Sequence, residues 1–106
     1  GVKHLRANQQ VLEILRTQNA ARRMIAAICA APTVLHDAGL LKGRRFTAHV
    51  SVADELPNIL VNERVVVDGN ILTSRGAGTA LDFGLAMLEQ LCGKVVADTV
   101  AESICA

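Results

Sequence analysis

The spacing of apolar residues predicts helices at both ends of the chain. Over residues 3–20, apolar side chains recur every three or four positions with polar residues between them, which is typical of an amphipathic helix. Residues 79–93 are more apolar, and Thr79 and Gly93 supply start and stop signals, so we predict a mostly buried helix there. Residues 94–104 predict a final helix. The stripe of the first helix consists of Leu5, Val11, Leu12, Ile14 and Leu15.

Continuous apolar segments and turn signals predict what lies between these helices. Residues 24–28 form an unbroken apolar run, which favours a strand buried on both faces. Pro32 then stands in the first turn of a predicted helix that ends near Gly39, because a missing N–H costs nothing at that position. Residues 46–49 form a short candidate strand, and residues 50–63 predict a loop or a short helix.

The clearest local pattern is a β-hairpin over residues 64–74, in which two β-rich runs flank Asp68-Gly69. Helices therefore alternate with strands, which predicts an α/β fold with helices on both faces of a mainly parallel sheet. That sheet would have few strands and would begin after a helix. We therefore expect that leading strands of the fold are missing from this chain.

Composition and charge exclude several classes of function. The 106 residues suit one small domain, and a net charge of +1 without a basic block argues against nucleic-acid binding. No apolar run reaches the length of about 18 residues that a membrane helix needs, and no zinc-ligand spacing occurs. Three cysteines without a short pairing motif argue against a secreted disulfide framework, so we expect a cytoplasmic protein with reduced thiols.

The hydrophobic fraction of 51% is high, although aromatic residues make up only 2% of the chain. A chain of this length buries a smaller share of its surface than a larger domain does, so much aliphatic surface would remain uncovered. This balance predicts that the chain is one part of a larger folded unit.

Cys29 is the first candidate for chemistry. It lies where the predicted strand 24–28 ends and the helix that contains Pro32 begins. Free N–H groups and the dipole of a helix start favour a thiolate, and a sharp strand-to-helix turn lifts the side chain out of the sheet. The alternative is a buried structural cysteine that acts as a small apolar side chain.

Histidine offers a second group. His49 closes a predicted strand at the carboxyl edge of the sheet, where doubly wound folds bind ligands, and it could polarise a substrate or carry a proton. The alternative is an exposed loop histidine. We expect His36 and His4 on the surface, and we expect Cys92 and Cys105 to be structural.

The segment SRGAGTA, residues 74–80, forms a glycine-rich turn between a predicted strand and a predicted helix. Its backbone N–H groups and Arg75 could bind an anion. Leu81 occupies the third glycine position of the dinucleotide fingerprint, and the lysine of a phosphate loop is absent, so nucleotide binding is not indicated. The alternative is a tight turn that only starts a helix.

Three features resemble the ThiJ/PfpI superfamily, and within it the DJ-one/YajL-like subgroup. They are the stretch AAICAAPTVL around Cys29, the segment VVDGNILTSRGAGTALDFGLAMLEQLCGK, and a histidine 20 positions after the cysteine. The resemblance implies a flavodoxin-like, doubly wound α/β sandwich that assembles as a homodimer.

The resemblance also implies activities and residue roles. Members of the subgroup act as cofactor-independent glyoxalases on methylglyoxal, as deglycases, as redox sensors through cysteine oxidation and as holdase-type chaperones. It implies Cys29 as the nucleophile and His49 as its neighbouring histidine. It further implies the backbone N–H groups of Gly1 and Ala30 as the oxyanion pocket, and Arg75 near an anion site by the dimer interface. Neither a metal nor a cofactor is implied.

Two departures from the family pattern shape the hypothesis. Ala30 follows the cysteine where peptidase members carry histidine, which argues against proteolysis. The family domain also has an earlier half, which supplies the first strands and a glutamate beside the cysteine. We therefore expect residues 1–106 to be the carboxyl-terminal part of one domain, completed by a companion chain of on the order of 80–95 residues.

The leading hypothesis is thus an enzyme that converts small reactive aldehydes through Cys29. A redox sensor would use the same exposed thiolate, and a chaperone would depend on exposed aliphatic surface instead. The sequence alone leaves these alternatives open.

Overall fold

A computed structural model describes residues 1–106 as five helices around a three-stranded sheet. Two short 3-10 turns, Val50–Val52 and Ala77–Thr79, lie in the connections. No helix is both long enough and apolar enough to cross a bilayer. The elements in chain order are α1 (Val2–Arg6), α2 (Gln9–Ala20), β1 (Ile25–Ile28), α3 (Pro32–Asp37), β2 (Val65–Asp68), β3 (Ile71–Ser74), α4 (Ala80–Cys92) and α5 (Lys94–Ser103).

The sheet has the order β1-β3-β2, so the last strand in the sequence is the central one. β1 and β3 run parallel, with Ile25 opposite Ile71, whereas β2 and β3 form the predicted antiparallel hairpin. The turn lies one residue later than predicted, because Asp68 pairs with Ile71 and the loop is Gly69 and Asn70. Gly69 has a φ of +60°, which glycine adopts without steric cost. The predicted α/β class is confirmed, with a mixed sheet.

The larger core lies between the sheet and helices α1 to α3. It is built from aliphatic side chains of β1, β3, α3 and the following loops, and Leu35, Leu56 and Ile71 are almost fully buried in it. On the other side, α4 packs against all three strands and α5 packs against α4. The sheet therefore lies between two helical layers, and the carboxyl ends of β1 and β3 open at the same edge.

The predicted helix over residues 3–20 is divided into α1 and α2. The break occurs because the Asn8 side chain caps α2, accepting hydrogen bonds from two N–H groups of its first turn at 2.9 and 3.3 Å. The predicted apolar stripe is only partly buried. Leu12 lies in the core, whereas 61% of Ile14 is exposed.

The prediction that residues 24–28 are buried on both faces is wrong at one position. The strand is present as β1, but Ala26 is exposed between the buried residues Ile25 and Ala27. β1 is an edge strand that pairs only with β3. Its outer edge therefore keeps unpaired backbone groups.

Residues 46–49 were predicted as a strand, and this prediction is wrong because the segment joins no strand ladder. The N–H of Thr47 donates to the hydroxyl of Thr73 at 2.9 Å. The carbonyl of Phe46 accepts a hydrogen bond from the N–H of Leu60 at 3.1 Å. The backbone hydrogen bonds of this segment thus go to a side chain and to a loop, although the apolar pattern predicted that they would go to a neighbouring strand.

The prediction of a mostly buried helix over residues 79–93 is also wrong. α4 begins at Ala80, and Phe83 is its only buried residue. Cys92, which the pattern placed on a buried face, is exposed at the end of the helix, and Cys105 is exposed as well. α4 meets the sheet along one side, and only α5 covers another part of its surface.

An ion cluster at the edge of the larger core links α1 to α3. The guanidinium of Arg6 donates to both carboxylate oxygens of Asp37, at 2.7 and 3.0 Å, and to Glu55 at 2.6 Å. The hydrogen bonds from Arg6 hold the pKa of Asp37 below its ordinary value of 3.8. Because the folded-state pKa is the lower one, the contribution of Asp37 to stability is present above pH 3.8 and is lost as the pH falls through the folded-state value.

We expect Arg6→Met to lower the free energy of unfolding by about 1–2 kcal/mol near neutral pH, because three charge-assisted hydrogen bonds are lost. Urea denaturation at about pH 6 and about pH 3 measures the effect, which should shrink at the lower pH as the carboxylates protonate. Arg16→Met is the control, since Arg16 donates only to the Ala38 carbonyl. An Arg6→Met effect equal at both pH values would contradict the prediction.

Candidate active site

Cys29 occupies a strained turn at the carboxyl end of β1. Its φ is +66°, in the left-handed region that side chains other than glycine adopt at a cost of about 1–3 kcal/mol. Two hydrogen bonds hold this backbone: the Cys29 N–H donates to the Ser74 carbonyl at 3.1 Å, and the Cys29 carbonyl accepts from the His49 N–H at 2.8 Å. The side chain is exposed. The turn therefore fixes the thiol at the surface of the sheet edge, contrary to the buried alternative.

The backbone around the cysteine leaves one free donor. The Ala31 N–H donates to Ile28, the Thr33 N–H donates to the Ala30 carbonyl at 3.1 Å, and proline has no N–H at position 32. The Ala30 N–H alone donates to no group of the chain. The expectation of several free N–H groups at this helix start is therefore corrected to a single one, next to the cysteine.

His49 is joined to the cysteine turn through its backbone and is half-buried. Its Nδ1 accepts a hydrogen bond from the Ser51 N–H at 3.1 Å and lies 2.8 Å from Ser51 Oγ. The imidazole thereby caps the 3-10 turn Val50–Val52. Sequence reasoning selected His49 but missed Ser51, although a serine two residues after a histidine is a recognisable signal for such a local bond.

Arg75 braces the loops around the site. Its Nε donates to the Ala48 carbonyl at 3.1 Å, and its Nη1 donates to the Val61 carbonyl. No carboxylate pairs with it. Arg75 thus ties the segment before His49 to residues 53–64, the long loop that precedes β2, and the sequence did not predict this role. Its Nη2 makes no hydrogen bond within the chain.

The glycine-rich turn is organised by the hydroxyl of Thr79, which is buried. Thr79 Oγ1 accepts from the N–H groups of Arg75 and Gly76, at 3.2 and 3.1 Å, and lies 2.6 Å from Ser74 Oγ. Ser74 Oγ also donates to the Arg64 carbonyl at 2.7 Å. The sequence indicated Thr79 as a helix cap, but its side chain instead holds the turn that carries Arg75.

A cleft of about 590 Å³ lies beside this turn. His49, Arg75 and Gly76 line it, together with residues 61–64 of the long loop. Cys29 does not line this cleft and is joined to it through the hydrogen bond from His49. No group of three or more histidine, cysteine or acidic side chains is arranged to hold a metal ion.

Gly1 is linked to the cysteine turn only through helix packing. It stands at the start of α1, where its carbonyl accepts from the Leu5 N–H at 3.2 Å, and α1 packs against α3. No hydrogen bond joins Gly1 to the cysteine turn. Hydrogen bonds link the turn that carries Cys29 and Ala30 to His49, and link Arg75 to Ala48, the residue before His49.

The sequence pattern of the DJ-1/PfpI family matches residues 1–90, a stretch that contains the cysteine turn, His49 and the glycine-rich turn. The chain belongs to the DJ-1/PfpI family. The predicted membership is thus confirmed.

Relatives within the DJ-1/PfpI family include both named enzymes and proteins without an enzyme name. The chain is 43% identical to protein DJ-1alpha of Drosophila melanogaster, over 98% of this chain and 49% of that protein. It is 39% identical to an isonitrile hydratase of Pseudomonas putida, over 94% of this chain and 45% of the other. It is 34% identical to the glutathione-independent glyoxalase DJR-1.2 of Caenorhabditis elegans, over 88% and 51%.

Solved structures of DJ-1/PfpI proteins share the fold. Drosophila melanogaster DJ-1beta matches with a TM-score of 0.94 and 38% identity, over 99% of this chain and 58% of that one. Oxidized Toxoplasma gondii DJ-1 matches with a TM-score of 0.88 and 33% identity, over 98% and 58%. The predicted flavodoxin-like fold is confirmed, and the chain spans about half the length of the curated relatives it matches.

Within this DJ-1/PfpI site, Gly76 is the glycine whose size affects the histidine. A Cβ at Gly76 would lie 3.3 Å from His49 Cδ2, so the imidazole would have to move by a few tenths of an ångström. We expect Gly76→Ala to lower the free energy of unfolding by about 1–3 kcal/mol, because the added methyl group is overpacked against the imidazole. Gly78→Ala is the control, because a Cβ there meets nothing within 4 Å. Equal free energies of unfolding for the two variants would refute the prediction.

Proposed function

We propose that this chain, completed by the rest of its family domain, is a cofactor-independent glyoxalase that acts on α-oxoaldehydes such as methylglyoxal. Deglycase activity on related aldehyde adducts would use the same chemistry. The observation that carries the proposal is the exposed Cys29 thiol on a left-handed turn, directly before the unpaired N–H of Ala30. A fold that only needed a small apolar side chain would not hold the residue in this strained, solvent-facing position.

The reaction begins when the Cys29 thiolate attacks the aldehyde carbon of methylglyoxal and forms a C–S bond. The aldehyde oxygen becomes an alkoxide, to which the Ala30 N–H can donate; one such donor is typically worth about 3–4 kcal/mol in the transition state. Gly1 is proposed as the second donor to this oxygen. The alkoxide then takes up the proton that the thiol released, and the product of the step is a hemithioacetal.

A proton then moves from the former aldehyde carbon to the neighbouring carbonyl carbon, which converts the hemithioacetal into a thioester of lactate. We propose that a carboxylate from the remainder of the domain carries this proton, since general acid–base catalysis contributes about 10²–10⁴ in rate. Water cleaves the thioester, releases lactate and regenerates the thiol. The sum is methylglyoxal plus water to lactate, without an oxidant or reductant.

The names of two relatives support an enzymatic role. One relative is a glutathione-independent glyoxalase and another is an isonitrile hydratase, so the family includes enzymes. Each of the two matches spans 88% or more of this chain and therefore includes both the cysteine turn and the glycine-rich turn. We propose the glyoxalase reaction because an exposed thiol suits attack on an aldehyde.

The proposed function is tested by incubating the assembled protein with methylglyoxal. Enzymatic assay of lactate should show steady production without added glutathione or metal. Acid quenching followed by peptide mass spectrometry should find the mass of one methylglyoxal molecule on the peptide that carries Cys29. Absence of lactate above the buffer rate would overturn the proposal.

The assembled protein is proposed to contain a companion segment. The outer edge of β1 is unpaired, and residues such as Val95 (80% exposed) and Leu91 (67% exposed) present uncovered aliphatic surface on α4 and α5. The relatives are about twice as long as this chain. We propose that the earlier half of the domain pairs with β1, that the completed domain forms a homodimer, and that it acts in the cytoplasm, where exposed thiols stay reduced. Native mass spectrometry tests the assembly.

A redox sensor is the second candidate, and it rests on the same exposed thiol. A solved relative is described as oxidized, which shows that oxidation occurs in a protein of this family. A sensor should gain oxygen atoms at Cys29 under mild peroxide before Cys92 or Cys105 reacts. Since all three thiols are exposed, selective oxidation would arise from the turn rather than from access. Uniform oxidation would contradict the sensor.

A further inference from the structure

We propose that His49 acts as a neutral hydrogen-bond donor through Nε2–H, and that Ser51 is the positioning residue that sets this tautomer. The inference rests on the proposed function for its substrate, the aldehyde that Cys29 attacks. The hydrogen bonds that carry it belong to the chain itself and can be measured without substrate.

The tautomer follows from the donors around Nδ1. A backbone N–H can only donate, so the 3.1 Å bond from the Ser51 N–H requires a lone pair on His49 Nδ1. Ser51 Oγ lies 2.8 Å from the same atom, and its hydroxyl hydrogen can point to that lone pair. A neutral imidazole whose Nδ1 accepts must carry its proton on Nε2.

The ring is also held from its other side. Gly76 lies so close that a Cβ there would be 3.3 Å from His49 Cδ2, the ring carbon bonded to Nε2. The His49 N–H is bonded to the carbonyl of Cys29, so the main chain that carries the imidazole is attached to the nucleophile turn. The bonds from Ser51 thus hold the Nδ1 edge of the ring, and the space between the Cδ2 edge and Gly76 is too small for a side chain at position 76.

This arrangement has a chemical consequence. In the Nε2–H tautomer, neither ring nitrogen has a free lone pair, because Ser51 occupies the one on Nδ1. His49 therefore cannot remove the proton from the hemithioacetal carbon. It can donate to a carbonyl oxygen of the substrate and withdraw electron density as the C–S bond forms, and the proton transfer is left to another group.

The first test is spectroscopic and uses the assembled protein without substrate. Nitrogen-15 NMR of the imidazole should show a protonated Nε2 and an unprotonated Nδ1. Ser51→Ala should lower the ratio of this tautomer to its alternative by about 3–10-fold, the value of one neutral hydrogen bond, and Ser51→Thr should restore it. Ser103→Ala is the control, since that hydroxyl donates to the Val100 carbonyl, far along the chain in α5. A protonated Nδ1, or a ratio unchanged in Ser51→Ala, would overturn the inference.

The second test compares two amide replacements. The side-chain nitrogen of glutamine reaches about as far as histidine Nε2, whereas that of asparagine reaches only as far as Nδ1. His49→Gln should keep lactate formation within about 10-fold of the parent, and His49→Asn should lose about 10²–10³-fold. Equal losses in both variants, with unchanged melting temperatures, would show that His49 acts as a base, and no loss in either variant would show that it has no role. Either result would overturn the inference.

Failure of the inference can be told apart from failure of the proposed function. If the protein forms no lactate, the glyoxalase proposal fails, while the NMR measurement still decides the tautomer. If lactate is formed but Nδ1 carries the proton, the inference alone fails.

Discussion

Replacing Cys29 by alanine is expected to reduce lactate formation from methylglyoxal by about 10³-fold or more, because the variant has no nucleophile to form the hemithioacetal. The assay uses the assembled protein and a coupled measurement of lactate. Cys92→Ala and Cys105→Ala serve as controls, since both thiols are exposed but lie at the ends of α4 and α5, away from the cysteine turn. Retention of activity in Cys29→Ala, or equal loss in the controls, would contradict the proposal.

Cys29→Gly separates the chemistry from the fold. The φ of +66° at this position is strained for any side chain, and glycine relieves that strain. We expect Cys29→Gly to be more stable than Cys29→Ala by about 1 kcal/mol in urea denaturation, although both variants are inactive. A position that gains stability when its side chain is removed is being kept for function rather than for packing. An equal stability of the two variants would show that the turn stores no strain.

Thr79→Val is expected to cause the largest loss of stability, about 2–4 kcal/mol, because two backbone N–H groups in a buried turn lose their acceptor. Those donors belong to Arg75 and Gly76, and the hydroxyl of Ser74 loses a partner at 2.6 Å as well. Valine has nearly the shape of threonine, so the change tests the hydroxyl rather than the volume. Urea denaturation of the assembled protein measures the effect.

Thr99→Val is the matched control for that prediction. Its hydroxyl donates to the Val95 carbonyl within α5 at an exposed position, so its loss should change stability by less than about 0.5 kcal/mol. Thr79→Val should also weaken the proposed lactate formation, since the same turn carries Arg75, which braces the segment before His49. Equal effects of the two substitutions would mean that the glycine-rich turn is organised by its backbone alone.

The sequence predicted secondary structure correctly where one short stretch of residues contains the whole signal. The hairpin was predicted from two β-rich runs around a turn, and it differs from the structure only by one residue in its loop. The helix after the cysteine was predicted from Pro32 and Gly39, and α3 lies between them. Each of these signals acts through bonds between near neighbours in the chain.

The apolar pattern predicted the burial of side chains and the pairing of strands less accurately. Residues 46–49 have the apolar pattern of a strand, but their backbone bonds go to Thr73, Leu60 and Cys29 instead of a neighbouring strand. α4 has the composition of a buried helix, yet Phe83 is its only buried residue. An apolar pattern states which side chains gain from burial, whereas the partners present in the fold decide which of them are covered.

By itself the sequence determined the residue types of the site and their local setting. It placed a cysteine at a strand-to-helix turn, a histidine at position 49 and an arginine in a glycine-rich turn. The tertiary structure alone decided which of their atoms are free: the N–H of Ala30 remains unpaired, His49 Nδ1 is occupied by Ser51, and Arg75 is tied to two carbonyls. Several of these bonds join groups far apart in sequence, such as Arg75 and Ala48, and only the folded chain brings such groups within the short range over which a hydrogen bond acts.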